Sequence, residues 1–299
     1  PSSATLDTSR AVLIIDGGSR ADLGLARSLG FAGIPVHLLT SGRDSVTARS
    51  RYVTQTHAFP HWTASDDERV ARIRAVAKSL RSRPMVLPSG DQALSFLSRR
   101  RADFADVIDH DLPDARTVSN CLDKARFARI AERLSPAGPA RWSPRDPEYN
   151  VGPDGEVALV HVYVEPSGRT LGSFTGVAAS ACPPEAGVGI AITSRRNERL
   201  AALAVDIVAR LQHSGFAILH FRRDPESDAF RLIEINCRYG AWTELPSRSG
   251  CNFPVAAYAT ITGQAAPVLA QREGVRCWAF FALDDPAPFF WQLLTRKAR

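Results

Sequence analysis

The 299-residue chain is 44% hydrophobic and 23% charged, a balance that excludes a disordered or fibrous protein and suits a globular one. Its 37 basic and 31 acidic residues leave a net charge of +6, but basic residues are not interleaved with aromatics along a stripe, so nucleic acid is not an expected partner. No apolar run reaches the ~18 residues of a membrane helix, Pro1 to Arg10 lacks the apolar core of a signal peptide, and the five cysteines are widely spaced without a C-x-x-C pair. The expectation is a cytoplasmic protein with reduced thiols, no zinc site, no membrane contact and two or three subdomains.

The run Ala11 to Ile15 reads as a buried parallel strand, followed by the glycine turn Asp16-Gly17-Gly18-Ser19-Arg20 and a helix through Leu23, Ala26 and Leu29. Gly33 to Leu39 supplies the next strand and completes a βαβ unit. Its turn is not G-x-G-x-x-G, which disfavours a dinucleotide site. Ser19 and Arg20 either grip an anionic substrate or shape the turn. A helix from Asp66 to Leu80, a strand Met85 to Leu87, the turn Pro88-Ser-Gly-Asp91 and a helix from Gln92 to Arg101 follow, with Asp91 the expected N-cap. These elements predict a small doubly wound parallel α/β domain.

Thr117 to Leu134 reads as one helix holding Asp123-Lys124, with Ser119 or Asn120 as N-cap. Ser135 to Asp154, rich in proline, glycine and charge, is a boundary. Strands are expected at Val157 to Tyr163 and Gly168 to Thr175, a helix at Asn197 to Leu211, a hairpin at Ala217 to Arg238, and a short helix near Val255 to Ile261.

The hairpin carries the chemistry. In Arg231-Leu-Ile-Glu-Ile-Asn-Cys-Arg238 the residues Glu234, Asn236 and Arg238 alternate onto one face. Two oxygens and a guanidinium suit a divalent cation bound to a phosphate or carboxylate. Cys237 points the other way. Centring the turn on Ser227 places His220 opposite Glu234 and Asp224 opposite Phe230; a one-residue bulge in the loop would move His220 to the other face.

An α/β domain, an Asp-Lys helix, a hairpin ending in Glu234-Ile-Asn236-Cys-Arg238 and a trailing Ser249-Gly-Cys-Asn-Phe-Pro254 segment resemble the ATP-grasp superfamily, most closely its carboxylate–amine ligase branch. The resemblance spans Val12 to about Asp284. It implies a pre-ATP-grasp domain over 1–115, a linker helix and lid remnant over 116–150, and an ATP-grasp subdomain with a mixed or antiparallel sheet over 151–299. It also implies ATP and Mg²⁺ as cofactors, with Mn²⁺ as the other candidate metal. Glu234 and Asn236 would bind the metal, Lys124 a phosphate of ATP, and Arg238 phosphate or the reacting carboxylate. The substrates would be a small carboxylate and an amine joined through an acyl phosphate, and a homodimer is the candidate assembly.

Two departures accompany the resemblance. His220 stands where the family carries an acidic metal ligand, and imidazole suits Mn²⁺ or Zn²⁺ better than Mg²⁺. His220 is therefore either a third metal ligand or a hydrogen-bonded neighbour of Glu234. The interval from Leu134 to Asp154 is also too short for the family's lid and holds no lysine, so a missing stretch of native chain is expected there. Both departures leave open a relative that binds nucleotide without ligase activity.

Overall fold

The computed structural model describes residues 5–42, 45–134, 157–182, 188–223 and 229–278. Its first half is a parallel sheet of β1 (Val12–Ile15), β2 (Val36–Thr40), β3 (Gln55–Ala58), β4 (Met85–Val86) and β5 (Asp109–His110), in the order β3-β2-β1-β4-β5. Helices α1 (Arg20–Gly30), α2 (Asp66–Ser79) and α3 (Asp91–Arg99) connect the strands. Every residue of β1 is buried because helices cover both faces. Val12 and Ile14 pack with Leu25 and Leu29 of α1, whereas Leu13 and Ile15 face Val70 and Ile73 of α2. The start of α2 is fixed by Ser65 and Glu68, which satisfy each other's backbone N–H groups in a capping box.

Helices α4 (Ala115–Leu122) and α5 (Lys124–Leu134) replace the single helix expected there. Asp114, not Ser119 or Asn120, caps α4 by accepting from the Arg116 and Thr117 amides. The chain breaks at Asp123, whose φ of −91° and ψ of 103° are extended. Its carboxylate accepts the Ala125 and Arg126 amides at 3.0 Å each, restarting a helix.

The second half is an antiparallel sheet in the order β10-β9-β6-β7-β8-β11. It contains β6 (Val157–Val164), β7 (Thr170–Cys182), β8 (Val188–Ser194), β9 (Gly215–Arg223), β10 (Phe230–Asn236) and β11 (Arg276–Trp278). Helix α6 (Glu198–Arg210) covers one face through Leu200, Ala204 and Ile207, which pack on Val160, Leu219 and Phe221. Helix α8 (Phe253–Ile261) covers the other with Phe253 and Tyr258 against Tyr163, Phe174 and Phe216; the short α7 (Glu244–Arg248) precedes it. Each fully buried Leu or Phe on these faces is stabilised by roughly 1.5–3 kcal/mol.

Strands β3, β5, β8 and β11 and helix α7 were not expected. β3 carries Gln55-Thr-His-Ala58 with mostly exposed side chains and β5 is two residues long, so neither presents an apolar run. The lid shortfall falls on 135–156, and Asp224 and the hairpin turn on 224–228; both calls lie outside the described residues. Among the described residues no helix is long and apolar enough to cross a membrane.

Candidate functional site

Strand β10 is an edge strand, and its register with β9 decides the site. Glu234 lies opposite His220, Ile235 opposite Leu219 and Asn236 opposite Ile218, as the hairpin estimate gave. Nearer the turn the estimate fails: Phe230 faces Arg223 rather than Asp224. The extra residue is Ile233, in a bulge between Leu232 and Glu234. Because this bulge lies on the turn side of Glu234, His220 keeps its place on the Glu234 face.

The three side chains form one hydrogen-bonded group. His220 Nδ1 lies 2.9 Å from Glu234 Oε1, and Asn236 Nδ2 donates to the same oxygen at 3.0 Å. With its NH₂ turned to Glu234, Asn236 keeps its amide oxygen available as a metal ligand. Burial pushes the Glu234 carboxyl up, but the His220 contact, the Asn236 hydrogen bond and the Arg238 charge outweigh it and hold its pKa at about 2. Glu234 is therefore ionised at neutral pH. Glu234 and Asn236 thus present two oxygens, one charged and one neutral, of the type that suits a hard divalent cation. Among the described residues no group of three or more His, Cys, Asp and Glu side chains converges for a metal. That donor set fits a cation shared with phosphate oxygens rather than one held by a protein cage. His220 has its Nδ1 committed to Glu234, leaving Nε2.

Past Asn236 the chain leaves the antiparallel sheet and docks on the parallel one. Tyr239 donates its N–H to Pro88 O at 3.0 Å and bridges Ser89 in parallel fashion, while its ring stacks on Phe216 at 4.2 Å. This brings Arg238 to the turn after β4. There Arg238 Nε and Nη2 donate to the two carboxylate oxygens of Asp91 at 2.5 and 3.3 Å. Asp91 is thus an ion-pair partner and not the expected N-cap; Gly90, at φ 100°, caps α3. Arg238 lies beyond the end of β10 and pairs with Asp91, while Glu244 holds Arg27 and Arg248.

The glycine turn after β1 is tied to the same place. Asp22 is fully buried, accepts from the Gly17 and Ser19 amides at 3.2 and 2.8 Å and from the Ser19 hydroxyl at 3.1 Å, and receives the Ser89 hydroxyl on its other oxygen. Burial pushes its carboxyl up to about 6, with the Asp16 charge adding to the rise against those hydrogen bonds. Ser19 therefore serves the turn as a cap, and exposed Gly18 takes the left-handed φ of 71° that the turn requires. Arg20 opens α1 and Lys124 opens α5, the latter exposed.

Sequence reasoning missed three residues near this group. Asp22 and Asp91 became visible only when the turns of β1 and β4 met β10. His161 lies in the row of Asn236 and Ile218, fully buried against Phe174, Phe216 and Phe253 with ring centroids 5.5–6.2 Å away. A lone histidine in Val157-Ala-Leu-Val-His-Val-Tyr-Val164 was its only signal. Burial and the charge of His220 pull its pKa to about 3, so it is a neutral core residue. On the opposite face, a cavity of about 240 Å³ is lined by Arg195, Arg196, Arg199 and Arg223. Ala158 and Arg223 lie out of phase with Leu159 and His220, which separates this hollow from the Glu234 group.

No protein-family model matches the chain, and no curated protein matches it in sequence. Solved structures do match in shape. Pyruvate carboxylase from Rhizobium etli superposes with a TM-score of 0.64 at 15% identity over 89% of this chain, which spans only 28% of that enzyme. Biotin carboxylase from Campylobacter jejuni, in complex with a β,γ-ATP ligand, gives 0.60 at 13% identity, covering 89% of this chain and 74% of that one. The ADP complex of N5-carboxyaminoimidazole ribonucleotide synthetase gives 0.63 at 12% identity over 92% and 82% of the two chains.

Proposed function

We propose, from the premise that this chain has the ATP-grasp fold, that it is an ATP-dependent carboxylate–amine ligase. The observation that carries this reading is the Glu234–Asn236–His220 group on the edge hairpin of a chain with that fold. The structural neighbours include a carboxylase bound to an ATP ligand and a synthetase bound to ADP, which supports nucleotide use. Glu234 and the Asn236 amide oxygen would hold Mg²⁺, which supplies charge neutralisation between the phosphates when bound. Arg238 would grip an acyl phosphate or carboxylate oxygen, releasing Asp91, and Lys124 would contact a terminal phosphate. Such a site works by positioning and by stabilising charge that builds on the transferred phosphoryl group; no covalent nucleophile is required. The division into segments 1–115, 116–150 and 151–299, the cytoplasmic setting and the homodimer belong to this proposal.

His220 supports a second reading. An imidazole bonded to Glu234 at 2.9 Å stands in place of a second carboxylate, which lowers the negative charge available to a metal. The alternative is a relative that binds nucleotide without ligating. Release of ADP and phosphate, screened over amino acids and small carboxylates with Mg²⁺ and with Mn²⁺, separates the two. Amine-dependent ADP release that falls at least ~100-fold in Glu234→Gln supports the ligase. Nucleotide binding without any release supports the alternative, and unchanged turnover in Glu234→Gln refutes the assigned site.

A further inference from the structure

We propose that Cys121 and Cys237 form a modification site, a dithiol that a peroxide converts to a disulfide tying α4 to the ligand strand. The two sulfurs lie 3.0 Å apart although 116 residues separate them in sequence. A disulfide needs about 2.05 Å, so closure asks for roughly 1 Å of movement, within the reach of small side-chain rotations. Helix α4 already packs on β10. Cys121 is the penultimate residue of α4 and half-buried, so it is the thiol that a small oxidant reaches. Cys237 is 2% exposed and faces the apolar side of the sheet. Cys251, the other free cysteine described, hydrogen-bonds to Ser173 O rather than to a second thiol.

The chemistry closes without a further cofactor. The Cys121 thiolate attacks one peroxide oxygen, the O–O bond breaks, and a sulfenic acid and water form. Cys237 then attacks the sulfenic sulfur, the S–O bond breaks, and a second water leaves as the S–S bond forms. Two thiols are oxidised and one peroxide is reduced to two waters. The Cys237 thiol proton leaves with the sulfenic hydroxyl as that second water, so no separate base is required. Cys121 is the accessible thiol and Cys237 the buried one, so Cys121 reacts first and Cys237 resolves.

The position gives the bond a consequence. Cys237 sits between Asn236 and Arg238, and Cys121 lies two residues before the Asp123 break that starts α5 at Lys124. A covalent tie would fix the spacing between the strand that holds the candidate metal ligands and the helix corner that holds the candidate phosphate lysine. This coupling rests on the proposed function; formation of the bond does not.

The test treats the reduced full-length chain with hydrogen peroxide, blocks remaining thiols by alkylation, and maps peptides by mass spectrometry without reduction. The expected result is a Cys121–Cys237 cross-linked peptide that dithiothreitol reverses, persists in Cys251→Ser and is lost in Cys121→Ser. Because the wild-type map is decisive by itself, poor folding of a variant does not weaken it. Recovery of both thiols alkylated, or oxidation of Cys121 to sulfinic acid without a cross-link, overturns the proposal. Mg·ATP affinity is then compared in reduced and oxidised chains, with a weakening of roughly tenfold expected and none in peroxide-treated Cys121→Ser. Equal affinities overturn the coupling. A cross-linked chain that binds no nucleotide in either state refutes the proposed function and leaves the dithiol standing.

Discussion

Replacing Asp111 by Asn will stabilise the protein at pH 8 and will do nothing at pH 4. Asp111 follows β5, and its Oδ2 is buried with no hydrogen-bond partner among the described residues. Burial and, after it, the Asp111 charge raise the pKa of the neighbouring Tyr163 and Tyr239 hydroxyls. Burial is the first cause of the shift that carries its carboxyl from an ordinary 3.8 to about 7, against weaker lowering by a backbone amide and the neighbouring Tyr163 hydroxyl. A carboxyl with a raised native pKa holds its proton more tightly when folded. Its contribution is intact below about 3.8 and is lost as pH rises through 7. A little over three pH units at about 1.36 kcal/mol each gives an upper bound of about 4 kcal/mol, and relaxation of the site reduces this to about 2–4 kcal/mol. Urea unfolding followed by tryptophan fluorescence at pH 4, 6 and 8 measures the difference between wild type and Asp111→Asn. An advantage of the variant that is the same at all three pH values would refute the reasoning. Asp22, with a native pKa of about 6, tilts both proteins in the same direction and cancels in the comparison.

His161→Leu removes two buried ring nitrogens that lack partners and is expected to raise stability by about 1–3 kcal/mol at pH 7. Because the native pKa of His161 is depressed from 6.5 to about 3, its neutral form supports the fold above about 6.5 and this support is lost as pH falls towards 3. Acid unfolding of the variant should therefore be shallower, read by circular dichroism. Gly90→Ala meets no atom within 4 Å but must adopt φ 100°, so backbone strain alone should cost about 1–3 kcal/mol in urea unfolding. Asp91→Ala breaks a pair whose acid is 57% exposed, so the midpoint should move by less than about 1 kcal/mol. A larger loss would show that the pair clamps the two sheets together.

The candidate site was legible wherever it depended on local period. Alternation along one strand put Glu234 and Asn236 on the same face, and counting back from the turn put His220 opposite them. The count erred at Asp224 because a bulge costs one residue, and no composition cue marks Ile233 as that residue. Helix α6 was legible because an apolar stripe at helical spacing follows Asn197, which the structure shows to be its N-cap. β3 and β5 were not, since they are short and carry polar side chains, and neighbouring strands alone make them strands.

Sequence by itself determined that Glu234 and Asn236 share one face, because side-chain direction along a strand follows from residue number. The register with β9, bulge included, decided that His220 joins them. Only the tertiary structure decided what surrounds that face. Whether Arg238 meets Asp91, whether Asp22 locks the glycine turn to Ser89, and whether Cys121 touches Cys237 depend on how two sheets are set against each other. That arrangement is fixed by the summed burial of cores running through both halves of the chain, a long-range quantity that no local pattern encodes.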